Sequence, residues 1–207
     1  MPSRAECKLP EEGFVFCCFN NNHKYTPKMF DTWVRILKRV PGSVLVLYAK
    51  FPIVEENLKR EVRQRGIDEK RVIFVGAVGV EEYLARFAVC DLFLDTFPFN
   101  AGTTANDALW MGLPLLTLCG RSFAARMSAA LLTAAGLDEL ITHDLADYED
   151  LAVELAQNPE RYRHLRARVS ELRTNVLFDM PRFVNNLENI LTALTMEHAY
   201  HEQPGDS

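Results

Sequence analysis

The signatures by which common nucleotide enzymes hold phosphate are missing from this chain of 207 residues. No G-x-x-x-x-G-K-[ST] run occurs, which argues against a phosphate-loop nucleotidase, and no G-x-G-x-x-G follows the first apolar segment, which argues against a dinucleotide oxidoreductase. There is no D-x-D for a metal–nucleotide complex and no G-x-S-x-G for a hydrolase triad. No apolar run reaches the ~18 residues of a spanning helix, and Met1-Pro-Ser-Arg-Ala-Glu-Cys7 has no secretory-leader pattern, so no membrane is expected. Long basic tracts are absent and the formal net charge is -5, which argues against nucleic acid as the main partner. Cysteine is sparse: the five are odd in number, show no C-x-x-C spacing, and Cys17, Cys18 and Cys90 sit in or beside apolar segments as small buried hydrophobes do. A reducing cytoplasm fits that usage. Of the histidines, His23, His143 and His164 are isolated, and His198 and His201 fall in the polar end of the chain, so no metal site is expected.

What is present is alternation. Apolar runs of strand length stand at Phe14–Phe19, Ser43–Tyr48, Val72–Val75, Leu92–Leu94 and Leu115–Leu118, and Glu139–Thr142 reads as a last short strand. Between them lie amphipathic segments. Thr26-Pro27 opens one by the N-cap and proline-first rule, with Met29, Phe30, Trp33, Val34, Leu37 and Val40 as its stripe. Val54, Leu58 and Val62 mark a second, stopped by Gly66, and Glu81–Phe87 a short third. An alanine-rich helix closes at Gly136, and from Asp147 onward the pattern is helical only. Asn158-Pro159 and Asp179-Met-Pro181 each start a helix, the last carrying Phe183, Leu187, Ile190, Leu191 and Leu194. That last stripe reads first as a satellite core helix and second as a face that docks on a partner. The alternation predicts an α/β fold: a doubly wound parallel sheet with right-handed crossovers and C-terminal helices. Residues 1–12 are expected as a lead-in linker, 13–199 as the domain and 200–207 as a polar tail.

In such sheets ligands bind beyond the carboxyl ends of the strands. The richest loop there runs from Leu94-Asp-Thr-Phe-Pro-Phe-Asn-Ala-Gly102 into Thr103-Thr-Ala-Asn-Asp107-Ala-Leu-Trp-Met-Gly112. Gly102 lets backbone approach a ligand, and the helix it precedes presents free N–H groups and a positive dipole end. Two hydroxyls at that mouth, Thr103 and Thr104, suit a phosphate or diphosphate. Thr103 as a plain N-cap explains the spacing equally well. Lys24, in the loop after the first strand, can balance diphosphate charge or be a solvated loop lysine, and Asn21 beside it can donate to a phosphate oxygen. Asp107 sits one turn into the helix, where it can accept from a ribose or compensate the dipole. Arg86 reads by default as a helix-surface charge.

Taken together these residues resemble the C-terminal half of the catalytic region of the O-linked N-acetylglucosamine transferase and SPINDLY family of glycosyltransferases. The resemblance covers nearly the whole chain. It runs from Ser3-Arg-Ala and Leu9-Pro-Glu through Phe16-Cys-Cys-Phe-Asn20, Lys24 and Trp33-Val-Arg-Ile-Leu-Lys-Arg-Val-Pro-Gly-Ser43, and is most specific at Leu94–Pro114. Arg126 and Tyr148-Glu-Asp150 extend it. It implies a GT-B fold, in which two Rossmann-like halves clasp a nucleotide sugar, and this chain resembles the half that holds the nucleotide. By that resemblance Lys24 stabilises the leaving diphosphate and is the catalytic candidate. Asn21 stands where a glutamine often touches the diphosphate, Thr103 and Thr104 open the phosphate-binding helix, and Asp107 binds ribose. Arg86 lies near the base, and the Val78 backbone contacts the uracil edge. Three positions depart from the pattern. Gly102 stands where animal members have a histidine, and Val80 and Tyr83 replace a lysine and a histidine beside ribose and base, although Tyr83 can still stack on a base ring.

The resemblance implies inverting transfer of a sugar from a UDP-sugar, UDP-N-acetylglucosamine foremost, to protein Ser or Thr hydroxyls, with no metal and no other cofactor. It also implies partners outside this chain: an acceptor protein, an upstream N-terminal catalytic half and tetratricopeptide repeats. Weak or absent turnover is therefore expected of these 207 residues alone. The alternatives are a non-catalytic nucleotide-sugar-binding module or a subunit completed by another chain, a GDP-sugar-dependent transferase, and a remnant that keeps the fold without the ligand.

Overall fold

A computed structural model describes residues 3–174 and 176–201. The continuous apolar runs become strands: β1 (Val15–Cys18), β2 (Val44–Tyr48), β3 (Val72–Val75), β4 (Leu92–Leu94), β5 (Leu115–Leu118) and the two-residue β6 (Ile141–Thr142). All neighbours pair in parallel, in the order β3-β2-β1-β4-β5-β6. Runs without polar alternation are what a sheet covered on both faces requires, and β1, β4 and β5 are buried at every residue. The strand order reverses between β1 and β4, where Phe16 aligns with Leu92 and Cys17 with Phe93. A doubly wound sheet leaves its ligand crevice at that reversal, outside the carboxyl ends of the strands.

The helices are α1 (Pro27–Arg39), α2 (Pro52–Gln64), α3 (Val80–Ala88), α4 (Thr103–Trp110), α5 (Met127–Ala135), α6 (Leu145–Gln157), α7 (Pro159–Ser170) and α8 (Met180–His201). Thr26 caps α1 by accepting from the Met29 amide, with Pro27 in the first turn, and the helix buries Met29, Phe30, Trp33, Val34, Ile36 and Leu37. Asn158 caps α7 in the same way through the Arg161 amide. The C-terminal helices reach back to the crevice. Tyr148 of α6 is fully buried, accepts from Trp33 Nε1 at 3.4 Å and donates to the Asp95 carbonyl at 3.0 Å.

The lead-in segment packs on the domain: Leu9 is buried, and Arg4 pairs with Asp91 at 2.6 Å and donates to the Gly13 carbonyl at 2.9 Å. Gly13 itself has φ +97°, and a Cβ there would run into the Gly42 carbonyl oxygen, so only glycine fits. The α8 stripe is not core. Phe183 is 59% exposed and Leu191 53%, and Leu187, Ile190 and Leu194 are exposed as well. Met1, Pro2 and residues 202–207, which hold most of the expected tail, lie outside the described residues; the helix covers residues 200 and 201. Among the described residues no helix is long and apolar enough to cross a membrane, and all five cysteines are free, with Cys17, Cys18 and Cys90 buried.

Candidate functional site

The crevice is built around a buried carboxylate. Asp95 follows β4 and is fully buried. Its Oδ1 accepts from the amides of Thr96 at 2.7 Å and Ala101 at 2.8 Å and from Asn20 Nδ2 at 3.1 Å, and its Oδ2 accepts from the Thr117 hydroxyl at 2.8 Å. The loop from β4 to α4 thus curls around one side chain and delivers α4 with a fixed orientation. Burial raises the Asp95 pKa above the ordinary carboxylate value, the donors around it notwithstanding.

Gly102, not Thr103, is the N-cap of α4, and no side chain caps the helix. Gly102 O accepts from the Ala105 and Asn106 amides at 3.0 and 3.1 Å. The amides of Thr103 and Thr104 are the first two of the helix and have no intrahelical acceptor. Thr103 is exposed and Thr104 half-buried in the first turn of this uncapped helix, with the Thr104 hydroxyl beside that of Tyr83. The plain N-cap role for Thr103 is therefore not the arrangement found. A Cβ on Gly102 would come within 2.8 Å of Met127 Cε, so the volume a histidine would need is occupied by that methionine's end.

Lys24 reaches this mouth from the other side of the strand reversal. A short 3-10 turn, Asn22–Lys24, carries it past β1, and its Nζ donates to the Asn100 carbonyl at 2.9 Å. The ammonium lies 4.1 Å from the centroid of the Phe99 ring. Burial lowers the Lys24 pKa below the ordinary lysine value, with the Asp95 carboxylate opposing the shift. Asn100 is fully buried, and its Nδ2 donates to the Thr96 carbonyl at 2.8 Å and more weakly to Leu118 O at 3.3 Å. Asn21 does not join the group. Its exposed side chain turns back to cap the same 3-10 turn, accepting from the His23 amide at 3.4 Å.

Beyond the ends of β1, β2 and β3 lies a cavity of about 220 Å³, lined among others by Phe19, Tyr48, Val75, Val78, Tyr83 and Arg86. Three sequence candidates therefore share one pocket. Arg86 is not a free surface charge: its side chain is 16% exposed, its Nη1 donates to the Gly76 carbonyl at 2.8 Å and its Nη2 to Glu82 at 2.9 Å. It fixes the loop that carries Val78. The Tyr83 ring meets Phe87 edge-on, and its hydroxyl donates to Asp107 Oδ2 at 2.9 Å, which ties the pocket to α4. Burial and the Asp107 carboxylate push the Tyr83 phenol up. Val80 is 72% exposed and brings no charge to the rim.

Tyr83 thus links the pocket to Asp107 of α4, and Lys24 links the loop after β1 to Asn100 just before α4. Asp95, Asn20, Asn100 and Phe99 belong to the same crevice and were not among the sequence candidates. An aspartate closing an apolar strand run was the one available signal, since a carboxylate so placed is buried and must be satisfied.

A Rossmann-like domain with an uncapped helix mouth and a lysine at its strand reversal is the class found as the nucleotide-binding half of GT-B glycosyltransferases. Comparison with solved structures agrees: an O-GlcNAc transferase mutant from Thermobaculum terrenum superposes with a TM-score of 0.82 and 32% identity, over 86% of this chain and 35% of that one. The sequence model of glycosyl transferase family 41 matches residues 1–187, and the chain belongs to that family. Among curated relatives, a UDP-N-acetylglucosamine–peptide N-acetylglucosaminyltransferase of Caenorhabditis elegans is 35% identical over 92% of this chain and 17% of its own length. The probable UDP-N-acetylglucosamine–peptide N-acetylglucosaminyltransferase SEC of Arabidopsis thaliana is 37% identical over 98% of this chain and 21% of its own. The chain thus spans about a fifth of the curated relatives it matches.

Proposed function

We propose that this chain is the nucleotide-sugar-binding half of a protein O-glycosyltransferase, with UDP-N-acetylglucosamine as donor and protein Ser or Thr hydroxyls as acceptors. The observation that carries the reading is the convergence of Lys24 on the uncapped α4 mouth at the strand reversal. As a glycosidic bond breaks, charge builds on the departing diphosphate. The Lys24 ammonium, the Thr103 and Thr104 hydroxyls and the first α4 amides are the donors this reading directs at that charge. The pocket by Val78, Tyr83 and Arg86 has the size and the aromatic wall for a base, and Asp107 stands between pocket and mouth, where a ribose would fall. This reading uses no metal. It places the acceptor, an upstream catalytic half and protein-recruiting repeats outside these residues, and it places the protein in the cytoplasm. Support for the donor comes from the relatives, which are UDP-N-acetylglucosamine–peptide transferases by name.

Calorimetric titration of the chain with UDP and GDP is the direct test. UDP is expected to bind, GDP to bind more weakly, and Lys24→Ala to weaken UDP. Tighter binding of GDP would move the donor to a GDP-sugar, and no binding of either nucleotide would overturn the site.

A pH series sharpens the test. Diphosphate binding needs the protonated ammonium, and burial holds the Lys24 pKa below that of an ordinary lysine. Affinity is therefore expected to be full on the acid side of that lowered pKa and to fall as pH rises through it, before exposed lysines titrate. Lys24→Arg keeps a charge that does not titrate in this range and should remove the alkaline fall. An identical fall in that variant would show that another group titrates.

A further inference from the structure

We propose that Phe99 is a positioning residue, whose ring holds the Lys24 ammonium at the α4 mouth without neutralising it. The proposal rests on the nucleotide reading above for the use of the contact, but the contact itself has its own test. Phe99 is 49% exposed, although Asp95, Thr96, Asn100 and Ala101 around it are all fully buried. Its neighbour Pro98 is exposed too, and a large apolar ring left half in solvent gains little from burial. What it does touch is a charge: Lys24 Nζ lies 4.1 Å from its centroid.

The backbone that carries the ring is held by hydrogen bonds. The Phe99 carbonyl accepts from the Thr96 hydroxyl at 2.6 Å, and that hydroxyl accepts from Asn20 Nδ2 at 2.8 Å. Asn20 Nδ2 also donates to Asp95, so the backbone under the ring hangs from the carboxylate that orients α4. Lysine and helix mouth are thereby set by one buried framework. An ammonium has three donors. One goes to the Asn100 carbonyl and the ring face covers another direction, which leaves donor capacity for a ligand. A carboxylate in place of the ring would hold the lysine as firmly but cancel its charge. An aromatic face attracts the cation, excludes water from one side and leaves the charge available to a phosphate. Leucine at this position would fill part of the space and supply no such attraction.

Two measurements test this on the purified chain. In proton–carbon spectra, the Lys24 ε-methylene, assigned by its loss in Lys24→Arg, is expected upfield of ordinary lysines through the ring current of Phe99. The shift should vanish in Phe99→Leu and persist in Phe99→Tyr. An ordinary Lys24 position in the wild-type chain overturns the contact. UDP is then titrated into wild type, Phe99→Leu, Phe99→Tyr, Lys24→Ala and the Lys24→Ala/Phe99→Leu double variant. Phe99→Leu is expected to weaken UDP about three- to fivefold when Lys24 is present and to change nothing when it is absent. Phe99→Tyr should bind as wild type. An equal loss in both backgrounds overturns the positioning role, because Phe99 would then act on the nucleotide or the loop directly. A ring-current shift in a wild-type chain that binds no UDP overturns the nucleotide reading, and with it the use assigned to the contact, while the contact stands.

Discussion

Lys24→Ala, introduced into the complete enzyme, is expected to cut sugar transfer to an acceptor peptide about a hundredfold. The reasoning starts from what the ammonium does at each stage. In the free protein it donates to the Asn100 carbonyl and lies on the Phe99 ring, two neutral partners, with the buried Asp95 carboxylate near enough to favour its charge. A bound nucleotide sugar carries diphosphate charge before reaction, and that charge grows as the anomeric bond breaks. A donor that meets growing charge contributes more to the transition state than to the ground state, so its loss lowers turnover beyond any loss of binding. Removing one such preorganised donor costs about 3 kcal/mol of barrier, which is the hundredfold. Lys24→Arg should recover only part of it, since a planar guanidinium fork does not replace a compact ammonium point charge. Initial rates at saturating donor decide the matter. Undiminished turnover in Lys24→Ala would remove Lys24 from the chemistry.

Asp95→Ala is expected to destabilise the domain by about 3–5 kcal/mol, the largest stability loss at any crevice residue. Four donors converge on that carboxylate: the Thr96 and Ala101 amides, Asn20 Nδ2 and the Thr117 hydroxyl. All four residues are buried to 1% exposure or less, so no water replaces the acceptor without opening the loop. Asn20 keeps Thr96 as a second partner, and the Thr117 hydroxyl can rotate, but the two amides cannot. Alanine also leaves the volume of the carboxylate empty. For a domain of this size the loss corresponds to a melting point lower by about 10 °C, read by thermal denaturation. Asp95→Asn keeps the volume and one acceptor oxygen and should fall between the two. A melting point unchanged in Asp95→Ala would mean that the loop is held elsewhere.

The strands were legible because the sheet is covered on both faces, so β1, β2 and β4 are unbroken apolar runs and β5 is interrupted only by Thr117. Helix ends were legible where glycine takes a left-handed conformation, as at Gly66, Gly112 and Gly136. Pattern misled at α4. A threonine pair before an apolar helix has the look of a cap, yet the preceding glycine takes that position and neither threonine caps the helix. It misled again at α8, where helical spacing tells which face is apolar but not whether anything covers it. The individual site candidates stood in the sequence, but their joining did not. Lys24 and the Asn100 carbonyl are 76 residues apart, and Tyr83 and Asp107 meet across two different helices. No local periodicity encodes either contact. Asn21 shows the converse case, a residue placed in the right loop whose side chain is spent on a turn.

The strand order has a consequence for how the molecule comes apart. β1, β2 and β3 are drawn from residues 15–75, and β4, β5 and β6 from 92–142, so each trio is assembled from contiguous chain. The trios meet along a single seam, the β1–β4 pairing, whose register spans two residue pairs. Of the strand pairings it joins the most distant parts of the sequence and carries the highest loop-closure cost. Lys24 stands on one bank and the α4 mouth on the other. A ligand gripped from both banks is a clasp over the seam, and it must let go before the sheet can part there.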